Sequence, residues 1–320
     1  MSYVLRNRES AIGELLEKCG SSVERVGQGE WKFILNNGSM LLVSARVREH
    51  WLHLDAPLKT GAAQGQGAWQ LLELNQGLGG LSKLALVPGQ SAALRVRAEI
   101  PLDEDVDLQT RLREACAGMK AGSGRLHGER KVEQTRADSQ TSFDEPEANA
   151  GSMLRQLCEE SGWKFTERTA TKLAVDLEAR SGFCQAIVEE EAGGAVSVSV
   201  ELTSHAAFGE KSKRAIGWLL LRAAAEVRLA RAVARETNEG AAASFEVLFQ
   251  TRPCAAELSH ALAALAVASR LCGQETAMMQ DEFVARNYLA ANCLAHARAV
   301  DESETKWKER MKWESRKQWA

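Results

Sequence analysis

The stretch WQLLELNQGLGGLSKLALVPG, Trp69 to Gly89, decides how the chain is read. Its glycines resemble a loop that cradles phosphate. A dinucleotide fingerprint, however, places G-x-G-x-x-G after a strand and at the opening of a helix, where N–H groups meet the anion. Here Gly77, Gly79 and Gly80 follow a helical run and precede an alternating one, and the third glycine position is Ser82. A helix C-terminus offers carbonyls and the negative end of its dipole, the wrong polarity for phosphate. The stretch therefore predicts a helix end, a turn and a strand start.

A shift of 149 positions sets Trp69 on Trp218. Without a gap, Leu94, Val96, Ala98 and Ile100 then fall on Ala243, Phe245, Val247 and Phe249. A slip of one residue would turn these side chains to the opposite face, so the shared register is informative. One inserted residue later, Leu108 and Leu112 fall on Leu258 and Leu262. The pattern predicts an internal duplication.

The ends of the two copies follow from composition. Residues 121–150, AGSGRLHGERKVEQTRADSQTSFDEPEANA, contain almost nothing to bury and read as a flexible linker. On each side a helix begins behind a serine, Ser10 or Ser152, the expected N-cap, and stops near Gly20 or Gly162. Three strands follow in each copy. In the first, Asn36-Asn37-Gly38 marks a hairpin. In the second, turns are expected at Ser181-Gly182 and Gly193-Gly194, and Val196, Val198, Val200 and Leu202 alternate. The expected class is α+β: two tandem helix–three strands–helix–two strands–helix lobes with antiparallel sheets and a C-terminal helical extension. The bounds are 1–120 for lobe 1, 121–150 for the linker, 151–274 for lobe 2, and 275–320 for the extension and its charged tail with Trp307, Trp313 and Trp319.

The element order carried by AIGELLEKCG, WKFIL, MLLVSARV, WLHLDAPL, WQLLELNQ, KLALV, ALRVRAEIPL and LQTRLREACAGM resembles the type III secretion chaperone-like fold of Tir-type chaperones and YbjN-like proteins. LLELNQGLGGLSKLALVPGQSAALRVRAEIPL is the most similar part. The resemblance spans roughly residues 8–120 and 150–273. It implies a non-catalytic protein that holds an extended or helical segment of a partner, such as a secreted effector, on a sheet edge or apolar groove. It also implies pairing through the middle helices, here Ala68–Gln76 and Ala215–Ala225, so that two fused lobes make a pseudo-dimer within one chain. The residues carried over for inter-lobe pairing are Trp69, Leu72, Trp218 and Leu221. Those proposed for partner binding are Leu15, Leu16, Leu154, Leu157, Trp307 and Trp313. The alternatives are a sensory or regulatory binding protein of the same fold, and an enzyme or small-molecule sensor with a site between the lobes.

Composition bounds the remaining classes. The net charge of −3 argues against a general nucleic-acid binder. No apolar run approaches a membrane span, and the first residues lack the apolar core of a signal peptide. Seven cysteines without a CxxC fit reduced thiols in a cytoplasm. His50 and His53, three apart on an expected strand, face opposite sides and are not expected to share a metal. Cys19 and Cys158 occupy similar places on apolar helix faces and read as small hydrophobes. A nucleophile would need an electropositive setting, which the sequence does not indicate. No cofactor, metal or catalytic residue is expected.

Overall fold

The computed structural model describes residues 3–37, 39–58, 67–87, 93–126, 150–179, 182–191, 193–206, 208–237 and 240–292. The first half runs α1 (Tyr3–Cys19), β1 (Ser21–Gly27), β2 (Glu30–Asn37), β3 (Ser39–Arg48), β4 (Trp51–Pro57), α2 (Ala68–Gln76), β5 (Ser82–Val87), β6 (Ala93–Pro101) and α3 (Leu108–Leu126). The second runs α4 (Ala150–Glu160), β7 (Phe165–Thr169), β8 (Lys172–Ala179), β9 (Gly182–Glu190), β10 (Val196–Ala206), α5 (Glu210–Glu226), β11 (Arg231–Thr237), β12 (Gly240–Phe249) and α6 (Ala255–Met278). Residues 282–292 are again helical.

The class is α+β with two antiparallel six-stranded sheets. Their strand orders, β1-β2-β3-β4-β6-β5 and β7-β8-β9-β10-β12-β11, are the same topology. Each half thus has four strands before its middle helix, not the expected three. The additional strands, β1 and β7, form the outer edges, and nearly all their side chains are exposed. With one face not packed on a core they carry no period-2 apolar signal.

In the first half α1 and α3 cover one sheet face; in the second α6 covers it, with α4 packed on α6. Leu94, Val96, Ala98 and Ile100 on β6 and Ala243, Phe245, Val247 and Phe249 on β12 are all buried there. They meet Ile12 and Leu16 of α1 and Leu112 and Met119 of α3, or Leu154 and Leu157 of α4 and Leu258, Leu262 and Leu265 of α6. Leu202 is the exception to the predicted alternation. A register shift after Glu201 turns Thr203 inward instead, where its hydroxyl accepts the Ala243 N–H at 2.8 Å.

Other boundaries also move. Helix α1 begins seven residues before Ser10 and α4 two before Ser152, so neither serine is an N-cap. Leu, Arg and Glu in residues 4–9 sustain the helix through Ser10. Helix α3 continues into the expected linker as far as Leu126, because Gly122, Ser123 and Leu126 are buried. The rest of that linker, 127–149, lies outside the described residues, as do Trp307, Trp313 and Trp319. By length and composition α6 is the one described helix long and apolar enough to cross a membrane. Here it packs on the second sheet and supplies ten buried residues to its interior.

The middle helices join the halves. Helix α2 packs mainly on β11 of the second half, and α5 mainly on β5 of the first, each in preference to its own strand. The helices also cross each other. A Cβ at Gly217 would lie 2.7 Å from both Ala68 C and Trp69 N, so only glycine allows this approach. Gly217→Ala is expected to lower the unfolding free energy by about 1–3 kcal/mol through overpacking. Gly273→Ala, where the nearest atom is Ser269 Oγ at 3.8 Å, is expected to raise it by about 0.5–1 kcal/mol through helix propensity. Urea unfolding of the two variants measures the contrast, and equal stability would rule out the close crossing.

Candidate functional site

The seam between the halves is polar as well as apolar. Edge strands β5 and β11 each carry a buried cation, Lys83 and Arg231. Lys83 pairs with Glu99 at 2.8 Å and donates across the seam to Val227 O at 2.5 Å. Arg231 pairs with Glu246 at 2.7 Å and donates across the seam to Leu78 O. Leu78 and Val227 are 149 positions apart and follow the two middle helices. The cross-seam bonds are therefore reciprocal. Gly80 and Leu229, again 149 apart, both hold left-handed backbone, with φ of 59° and 58°. The glycine loop is thus a helix end whose carbonyl receives a cation, the opposite of a phosphate cradle.

Two further groups complete the seam. Asn75, fully buried at the end of α2, accepts the Leu84 N–H at 2.6 Å and donates to Leu84 O and to Ala232 O on β11, at 3.2 and 2.9 Å. Arg111 of α3 bonds Glu257 of α6 through two donors at 2.6 and 3.0 Å, and reaches Glu114 and Thr251. Its guanidinium also lies 5.0 Å over the Phe249 ring. These charges have their partners inside the seam.

Burial pushes the Lys83 ammonium below the ordinary lysine range, against the pull of Glu99. Lys83→Met leaves Glu99 buried without its partner and is expected to cost about 3–5 kcal/mol. Adding Glu99→Met is expected to recover most of that loss. Chemical denaturation of the single and double variants tests this. If the double variant is as unstable as the single, the pair is not the source of the cost.

A second polar region faces solvent. The uncovered face of the first sheet carries Ser44, Arg46 and Arg48 on β3, His53 and Asp55 on β4, and Arg95 and Arg97 on β6. With Val87 these line a concavity of 330 Å³. Cross-strand register sets them in rows: Glu30–Arg46–His53–Glu99, and Lys32–Ser44–Asp55–Arg97–Lys83. Asp55 pairs with Arg95, and with Arg97 Nε at 3.3 Å. Burial still raises its carboxyl above the usual aspartate value, outweighing both guanidiniums. Burial lowers His53 below the usual histidine value, against the pull of Glu99. Arg46 lies 3.6 Å from Glu30 and stays half-exposed; Arg48 is exposed. Beside this cluster Met40 and Leu42 are 79% and 53% exposed. Such a face suits a segment that carries carboxylates next to apolar side chains.

The residues expected from sequence are distributed as follows. Trp69, Leu72 and Leu221 are buried and Trp218 half-buried, all on α2 and α5. Trp69 packs edge-on to Phe208 with ring centroids 6.2 Å apart. Leu16, Leu154 and Leu157 are core side chains and Leu15 is half-buried, so the first helices turn them inward. Trp307 and Trp313 lie outside the described residues. His50 is not on a strand: with Glu49 it forms the β3–β4 turn at positive φ, and only His53 lies in the sheet. No metal-ligating cluster occurs among the described residues. The arginine face was not anticipated. Its signal was the alternation of Arg46 with Arg48 and of Arg95 with Arg97, which becomes one surface only when β4 is placed between β3 and β6. Comparison with protein-family models, with curated proteins and with solved structures returned no match.

Proposed function

We propose that the chain is a non-catalytic, chaperone-like binding module that holds a segment of a protein partner. In this reading the two halves act as an intramolecular pseudo-dimer of type III secretion chaperone-like units, and the protein works in the cytoplasm. The observation that carries the proposal is the open face of the first sheet. Exposed Met40 and Leu42 lie on the same face of β3 as Arg46 and Arg48, which line the concavity together with Arg95 and Arg97. An apolar patch beside guanidiniums recognises an acidic, apolar segment, with the arginines setting orientation and the apolar contacts supplying much of the affinity. The outer edge strand β1 belongs to the same sheet and offers a place for an added partner strand.

Quantitative affinity capture from the source organism tests the proposal, with Met40→Asp/Arg48→Glu as the comparison. Both side chains are exposed, so the variant is expected to keep the thermal stability of the parent. Partners of the parent are expected to fall about tenfold in the variant, the effect of losing ~1.4 kcal/mol of binding free energy. Retained partners are expected to carry acidic, apolar segments and to bind more weakly in high salt. An unchanged set of bound proteins would overturn the assignment of this face.

A further inference from the structure

The architecture does not demand an arginine face. The second sheet has the same strand order, yet 149 residues beyond Arg95 and Arg97 it carries Ser244 and Glu246. The cations of the first sheet are also poorly neutralised. Four guanidiniums line the concavity with one carboxylate, Asp55. That carboxylate is taken by Arg95 and Arg97. Arg97 is held at its other end too, because its Nη1 donates to Ala225 O at 2.8 Å. Arg46 approaches Glu30 at 3.6 Å, with both side chains well exposed. Arg48 makes no ion pair or hydrogen bond among the described residues.

We propose that this concavity is a phosphoryl-binding site that takes a phosphoserine or phosphothreonine of the partner segment. The proposal rests on the reading that this sheet face holds a protein segment, and it names the modification that the segment carries.

Charge and geometry select the phosphoryl group over a carboxylate. A phosphate monoester carries a charge of about −1.5 to −2 at pH 7 and three strong acceptor oxygens. A carboxylate carries one charge on two oxygens, which a single guanidinium fork satisfies. Arg46 and Arg48 are successive outward residues of β3, with Cα atoms about 7 Å apart along the strand. Two long side chains at that spacing close on one tetrahedral group from two sides. The next outward residue, Ser44, adds a hydroxyl donor at the same wall. On β6, across β4, Asp55 fixes Arg95 and Arg97 in place, so they supply positive potential without having to be ordered when the anion arrives. Arginine suits this task better than lysine, because its planar fork matches phosphate oxygens.

The neighbouring apolar surface sets what surrounds the phosphorylated residue. Exposed Leu42 lies four residues from Arg46 on the same face of β3, about 14 Å along the strand. An extended segment aligned with β3 therefore places an apolar side chain four positions from the phosphorylated one.

The experiment immobilises the full chain and measures retention of fluorescent peptide libraries. Each has degenerate acidic and apolar positions around a fixed centre: serine, phosphoserine, or a Glu-Glu pair that matches the phosphoserine charge. The phosphoserine library is expected to be retained roughly tenfold more strongly than either of the others. Its tightest members are expected to carry an apolar residue four positions from the phosphoserine. Arg46→Gln/Arg48→Gln, both at exposed positions, is expected to keep the thermal stability of the parent and to lower phosphoserine retention to the level of the serine library. Inorganic phosphate, titrated alone, is expected to bind more weakly than the retained phosphopeptides. Equal retention of the phosphoserine and Glu-Glu libraries overturns the phosphoryl site and leaves the acidic-segment reading standing. Free phosphate binding as tightly as the phosphopeptides overturns the partner segment as its source. Undiminished retention by the double variant overturns the placement at Arg46 and Arg48. Retention of none of the libraries overturns this proposal and the reading beneath it together. The comparison of libraries on the parent decides the matter even if the variant does not fold.

Discussion

The structure depends on how two sheet edges are closed. A sheet that ends in β5 or β11 leaves a strand with open backbone groups and an apolar flank, a template for unwanted pairing. Neither half covers that strand mainly with its own middle helix; each borrows the other's. The exchange brings the turn after each middle helix beside the opposite edge strand. Lys83 and Arg231 reach from those strands to the carbonyls of that turn. Taking a cation out of water costs several kcal/mol unless charge and hydrogen-bond partners replace the solvent. Glu99 and Glu246 supply the charge, and the opposite helix end supplies the carbonyl. Only one relative placement of the halves satisfies both cations, so the pairing is specified by polar groups and stabilised by apolar ones.

The left-handed residues fit the same requirement. Gly80 and Leu229 turn the chain so that the carbonyls of Leu78 and Val227 stay within reach of the cations. Glycine adopts this conformation readily, whereas leucine does so at a cost. Leu229 is nevertheless buried, and its N–H bonds Glu99 at 3.3 Å, so packing and a charge-assisted hydrogen bond hold the strained residue. The second copy keeps the turn without the glycine that announces it in the first.

What could be read from the sequence follows from which faces are buried. The β6 and β12 registers were visible because four alternating apolar side chains fill one core in each half. The α2 limits were visible because Ala68 and Gln76 flank a short apolar run with glycines close behind it. Strands β1 and β7 were hidden because exposed edges need no apolar face. The β3–β4 turn was hidden because Glu49 and His50 hold positive φ without glycine or asparagine. The seam cations looked like ordinary surface charge, since nothing local in KLALV or RAVARET tells that the outward side of an edge strand will be covered.

The shared topology also shows where the halves differ. Seam positions are constrained in pairs, because a change on β5 must suit the turn after α5. Most positions on the open sheet faces carry no such constraint. On the first sheet this face gathers Arg46, Arg95 and Arg97. At the equivalent strands of the second it shows Gln185, Glu189, Ser197, Ser199 and Glu201. One half therefore gathers arginines where the other shows hydroxyls, carboxylates and an amide beside Ile187. Arg97 ties the divergent surface to the shared seam. Its Nε pairs with Asp55 on the open face, while its Nη1 donates across the seam to Ala225 O at 2.8 Å. The shape of the arginine face is thus set in part by the second half, although the groups lining it come from the first. Fusion in one chain fixes that relationship at any protein concentration, which two separate subunits achieve only when they are concentrated enough to pair.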